Sequence, residues 1–169
     1  FCLSRGLGDV YKRQVLRRKD TQRERLLAGM LAAANREGYA RATVSAVIAE
    51  AGVSRPTFYD YFADRDDCFL VAQREAQGQL LVEVRELVQA LPPERAMQAT
   101  VRALIRFAGS MPAMARFLMT QPLAAGPAAL DARDRGIAAI SEVIERSHRR
   151  VDPATAIPDL PARMVVGGI

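Results

Sequence analysis

The sequence predicts an all-α protein, on three observations. Apolar residues recur at i, i+3, i+4, i+7 in four separate segments: Leu27/Met30/Leu31/Ala34, Val44/Val47/Ile48/Ala51, Val84/Leu87/Val88/Leu91 and Val101/Leu104/Ile105/Ala108. Each set lays one apolar stripe along a 3.6-residue period. Glycine, proline and N-capping residues punctuate these segments at helical lengths. No segment alternates with period two in β-branched residues, which is what a half-buried strand would need.

The elements follow in order. Helix 1 is expected from about Asp20 to Glu37, stopping at Gly38, a residue suited to the left-handed conformation after a helix end. Thr43 is placed to cap helix 2, which stops at Gly52. Ser54 caps helix 3, with Pro56 in its first turn, where a missing N–H costs nothing. Asp64 opens a long helix 4 running to about Leu91, with Asp67 adding acid at the positive end of the helix dipole. Helix 5 spans about Pro93 to Ser110, a short helix follows near Pro112 to Met119, and the Ala/Pro/Gly-rich stretch 122–130 reads as a loop. A last helix continues to about Arg150 with Ile137, Ile140 and Ile144 on one face, ending at Asp152-Pro153.

Bulk properties narrow the class. With 169 residues, half of them hydrophobic and a quarter charged, the chain is long enough for one or two domains with real cores. No apolar run approaches a membrane span and no signal-peptide pattern opens the chain, so a cytoplasmic protein without membrane association is expected. Cys2 and Cys68 have no metal-ligand spacing. The segment Ser4–Gln14, SRGLGDVYKRQ, resembles an in-frame translation of a sequencing adapter, so residues 1–14 are set aside as non-native. They carry Arg5, Lys12, Arg13 and Asp9; without them 21 of the 24 basic and 18 of the 19 acidic residues stay, and the net charge falls from +5 to +3. At the other end PARMVVGGI stops within an apolar run, as an interrupted reading frame would.

The informative stretch is Thr43 to Phe62, TVSAVIAEAGVSRPTFYDYF. Two short helices joined by a turn containing glycine form a helix-turn-helix layout. Val47, Ala51, Val53, Phe58 and Tyr61 fall where two crossing helices need apolar contacts. The other face of the second helix offers Arg55, Thr57, Tyr59 and Asp60, a mix of basic, hydroxyl and aromatic groups suited to a major groove.

These residues resemble the tetracycline-repressor (TetR) family of transcriptional regulators. The matching elements are Gly38-Tyr39, Thr43, the turn Ala51-Gly52-Val53-Ser54, the helix Thr57-Phe58-Tyr59-Asp60-Tyr61-Phe62, and Arg65. The resemblance covers about residues 21–70. It implies a DNA-binding domain over 15–65 and a helical ligand-binding and dimerisation domain over 66–169, incomplete at its C-terminus. It also implies roles for individual residues. Thr43 would bind a phosphate oxygen through its hydroxyl and backbone N–H, Tyr59 a second phosphate, and Arg65 would add a charge contact. Arg55, Thr57, Asp60 and Tyr61, beside the capping Ser54, would face base edges or flanking phosphates; Asp60 is suited to accept from cytosine N4. Two departures stand out: Ile48 occupies a position where the family often has a small residue, and Arg65 replaces the commoner lysine.

The implied partners are a palindromic double-stranded operator, a second copy of the full-length chain, and a small-molecule effector held among helices 4 to 7. The fragment itself is expected to dimerise poorly, because the family's last two helices build most of its dimer interface. Phe107, Met111, Met114 and Phe117, with Met97 and Met119, fit either an effector cavity or ordinary core.

Other residues have plainer readings. Phe58 and Phe62 read as core, and Tyr61 as core or interface. Arg17-Arg18-Lys19 reads as a solvated tail or a DNA-following arm. Cys68 reads as a packing residue, and His148 as a complement to a helix C-terminus. An enzyme is disfavoured, since there is no HExxH, no phosphate-cradling loop and no Cys/His cluster, and no cofactor is implied. The acid pairs Glu83/Glu86 and Asp131/Asp134 read as solvated faces. A sequence-independent DNA-binding protein is the other alternative.

Overall fold

The structure, a computed structural model, describes residues 22–148. The adapter-like segment, the Arg17–Lys19 arm, and the Asp152-Pro153 helix end lie outside the described residues, as does the side chain of His148. Among the described residues every regular element is helical: α1 (Gln22–Glu37), a 3-10 turn (Tyr39–Arg41), α2 (Val44–Ala51), α3 (Arg55–Tyr61), α4 (Arg65–Gln89), α5 (Pro93–Ser110), α6 (Pro112–Met119), α7 (Gln121–Ala125) and α8 (Pro127–His148).

Capping side chains set the N-terminal boundaries of α2, α3 and α4. The Thr43 hydroxyl accepts from Ala46 N at 3.2 Å and Ser54 Oγ from Thr57 N at 3.3 Å. Asp64 Oδ1 accepts from Asp67 N at 2.8 Å, while Asp67 Oδ2 accepts from Ala63 N at 3.1 Å, so each aspartate satisfies a donor beside the other. Gly52 closes α2 in the left-handed conformation, φ 61° and ψ 42°. Gly38 differs from expectation: φ is 81° but ψ is 155°, a region essentially reserved for glycine and outside the left-handed helical well. That extended exit carries the chain out of α1 and drops Tyr39 into the core.

α1 is the hub of the N-terminal half, packing on α2, α3, α4 and α6. A helix with neighbours on several sides needs more than one apolar stripe. Leu26, Gly29 and Ala33 are accordingly buried along with Leu27, Met30 and Ala34. In the second half α4 packs on α8 and α5, and α5 on α8. Two glutamines stitch the α4–α8 seam: the buried Gln73 donates from Nε2 to Ala129 O at 3.0 Å, and the half-buried Gln77 from Nε2 to Ala132 O at 3.1 Å. The halves share one continuous core, joined by a ladder of rings. Tyr39 meets Phe69 at 4.7 Å between centroids, and Phe69 meets Phe117 at 4.9 Å.

Two sequence expectations are corrected. Residues 122–130 form no extended loop: α7 ends at Ala125, Gly126 turns at φ 96°, and α8 begins at Pro127. Proline in the first turn of each helix lets helical structure start immediately on either side of one glycine. The stripe assigned to helix 5 is also rotated. Ile105 is 55% exposed, and α5 buries Ala96, Thr100, Ala103, Leu104 and Phe107 instead. Thr100 is tolerated there because its hydroxyl donates to Ala96 O at 2.8 Å within the same helix.

Candidate nucleic-acid interface

α2 and α3 are held as a crossed pair from both sides of their turn. Phe58 and Phe62 are fully buried, as their spacing requires, and their rings meet at 5.7 Å. Val47 and Ala51 of α2 complete the seam against α1. On the outside, Ser54 Oγ lies 2.8 Å from Thr57 Oγ1, so the two hydroxyls of the α3 entrance form a pair. This leaves Arg55, Tyr59 and Asp60 exposed along α3. Tyr59 is 51% exposed, with its ring edge-on to Phe58 at 5.4 Å. Tyr61 is 43% exposed, its hydroxyl 3.5 Å from Gln22 Oε1, which places it at the surface between α3 and the start of α1.

Thr43 stands exposed at the N-terminus of α2. Its backbone N–H is already bound to Arg41 O at 2.8 Å. What it can offer an anion is the hydroxyl proton, beside the first-turn N–H groups of Val44 and Ser45, which no helical carbonyl can reach. Arg65 opens α4 in a more constrained setting. Its guanidinium carbon sits 4.3 Å from the Tyr39 ring centroid, Nε donates to Asp66 Oδ1 at 2.9 Å, and Nη2 donates to the Tyr39 hydroxyl at 3.2 Å. The Tyr39 phenol in turn donates to Asp66 Oδ1. Burial, then this bond to Asp66, pushes the phenol up to about 12, so it stays a donor at neutral pH. The same bond, more than the neighbouring Arg65, holds the Asp66 carboxyl below its usual range.

Three residues of the site escaped the sequence reading of function. Arg25 of α1 donates from Nε to Ala51 O at 3.0 Å and from Nη2 to Gly52 O at 2.8 Å, clamping the C-terminus of α2 at the turn. Its partners are 26 and 27 residues away, so no local pattern announces it. Tyr39 was visible only as half of a Gly-Tyr pair. Gln121, 82 residues beyond Tyr39, accepts the Tyr39 backbone N–H on Oε1 at 2.8 Å.

Of the residues assigned to either a cavity or core, Phe107, Met114 and Phe117 are buried, and Met97, Met111 and Met119 pack against the same core. Cys68 is buried, and burial, then Asp67, pushes its thiol up to about 12, which suits packing rather than reactivity. Glu83 is not a fully solvated acid: partial burial, then Glu86, raises its carboxyl. Asp131 and Asp134 are exposed, the latter paired with Arg133 at 2.8 Å. Among the described residues no cluster of His, Cys, Asp and Glu could hold a metal, and no helix is long and apolar enough to cross a membrane.

Residues 26–72, from α1 into α4, match the family model described as bacterial regulatory proteins, tetR family. No curated protein matches the chain.

Proposed function

We propose that this chain, whose residues 26–72 match the tetR family model, is a DNA-binding transcriptional regulator, and specifically a sequence-specific repressor released by a small-molecule effector. The observation that carries the DNA-reading half is the partition of α3. Phe58 and Phe62 are buried, while Arg55, Tyr59 and Asp60 of the same helix are exposed. A helix anchored by one face and capped by Ser54 keeps its polar face rigid, as readout of base edges in a major groove demands. In this reading Arg55, Thr57, Asp60 and Tyr61 face base edges or flanking phosphates. Thr43, Ser54, Tyr59 and Arg65 fix the register on the backbone.

Two recognition helices on a homodimer would occupy successive major grooves of a palindromic operator. The effector would lie among α4 to α8, near Phe107, Met111, Met114 and Phe117. Gln73 Oε1 and Ser141 Oγ, buried there without a hydrogen-bond partner among the described residues, favour an effector carrying polar groups to match them. Release requires that the effector bind the two states with different affinity, since equal binding shifts nothing.

Selection of bound sequences from random duplex DNA tests the proposal. One enriched palindromic site is the expected result. Equal affinity across sequences would favour sequence-independent binding instead. A folded helical chain that retains no duplex would overturn the reading and send the search for function to α4–α8.

A further inference from the structure

Tyr39 is 3% exposed and engages three elements at once. Its backbone N–H is held by Gln121 of α7, its phenol bonds Asp66 at the start of α4, and its ring lies under the Arg65 guanidinium. The Gly38 backbone, at φ 81° and ψ 155°, delivers it to this place. Gln121 is itself 8% exposed and is followed by the fully buried Pro122, so the accepting side chain is one held by packing around it.

We propose that Gln121 is a positioning residue for Arg65, acting through Tyr39, so that the aim of this cation depends on the seating of α7. The physical chain is short. A buried backbone N–H strongly favours an arrangement in which it has an acceptor, and the only acceptor the Tyr39 N–H has among the described residues is Gln121 Oε1. Seating α7 therefore fixes the Tyr39 backbone, the backbone fixes the ring, and the ring with its hydroxyl fixes the guanidinium. Unseating α7 orphans the N–H and frees the ring to leave Arg65. The assignment rests on the DNA-binding reading for its consequence, but its geometry is testable without DNA.

Two measurements on the full chain test it. The first is the Arg65 Nε–H resonance, followed by NMR in the absence of DNA. Wild type should show the upfield ring-current shift of a guanidinium stacked on Tyr39. Gln121→Met, which keeps the size and removes the acceptor, should lose it with the helical circular dichroism unchanged, and Gln121→Glu, which keeps an acceptor, should recover it. Retention of the shift in Gln121→Met overturns the proposal. The second is a double-mutant cycle on duplex affinity. Gln121→Met should weaken binding to all duplexes alike by about three- to tenfold in the wild-type background and have no effect once Arg65→Gln is present. An equal loss in both backgrounds overturns the positioning role. If no chain binds any duplex while the resonance still moves as expected, the DNA-binding reading fails and the positioning of Arg65 by Gln121 stands.

Discussion

A Cβ on Gly29 would lie 2.7 Å from the backbone carbonyl oxygen of Val47, with Ala51 N at 3.1 Å. α1 and α2 therefore cross in backbone contact, and the glycine is what permits it. The obstructing atoms are main-chain atoms of a packed helix and cannot swing aside. Gly29→Ala should destabilise the chain by about 1–3 kcal/mol, as overpacking does. The exchange would add about 1 kcal/mol of stability in an exposed helix interior, so even the sign is diagnostic. The urea midpoint reads it directly: a rise on Gly29→Ala would refute the close crossing.

The turn between α2 and α3 depends on Arg25. Its two donors meet the carbonyls of Ala51 and Gly52, groups left without helical partners where α2 ends. Arg25→Ala should cost about 1–2 kcal/mol, in the range of hydrogen bonds to a charged group discounted for exposure. Arg25→Lys should recover little, because an ammonium cannot span two carbonyls as the guanidinium fork does. Faster amide hydrogen exchange at Gly52 and Val53 in Arg25→Ala, with α8 unaffected, would locate the effect. Uniform loosening across all helices would argue that Arg25 acts elsewhere.

What could be read from the sequence and what could not divide along contact distance. The caps Thr43, Ser54 and Asp64, the left-handed Gly52 and the buried pair Phe58/Phe62 were legible because their partners lie within a turn or two. Arg25, Gln121 and Gln73 were not, because each bonds a backbone atom 26 to 82 residues away. Ile105 misled for a related reason. A helix touching α4, α6 and α8 buries the face its neighbours reach, and Thr100 sits on that face because it satisfies its own hydroxyl. The candidate DNA contacts rest on residue type and on the family resemblance. Their geometry adds a distinction that type could not give: Tyr59 and Arg55 are exposed, whereas Arg65 is held by Tyr39 and Asp66.

Stability should fall at high pH before any general alkaline unfolding. The Tyr39 phenol rises from 10.0, and the Cys68 thiol from 9.0, each to about 12. Both groups bind their protons more tightly when folded, so their contribution is complete below the unfolded values and is lost as pH rises through the folded ones. The window is therefore about pH 9 to 12. Asp66 runs the other way: its lowered carboxyl supports the fold at neutral pH and ceases to as pH falls through that lowered value. Tyr39→Phe should flatten both limbs, since it removes the phenol and the bond that depresses Asp66. A Cys2→Ser chain should also resist thiol reagents at pH 8 until denatured, and rapid labelling of the native chain would contradict the burial of Cys68.

Two exposed side chains of α3, Tyr59 and Arg55, should separate position from specificity. Under the proposed function, the exposed Tyr59 would offer its phenolic donor to a phosphate. Arg55 stands at the first position of α3, and under the same proposal its guanidinium would face a base edge in the groove. Tyr59→Phe should therefore weaken binding to every duplex by a similar factor while leaving the ranking of sequences intact. Arg55→Ala should also relax preference at one base pair, by about 1–3 kcal/mol, the discrimination a bidentate contact supplies. Both side chains are exposed, so neither change should move the unfolding midpoint appreciably. Affinities measured over a panel of single-base-pair variants of the selected site distinguish the roles. Identical profiles for wild type and Arg55→Ala would remove Arg55 from base readout and shift that task to Asp60 and Thr57, the next polar side chains along the same helix.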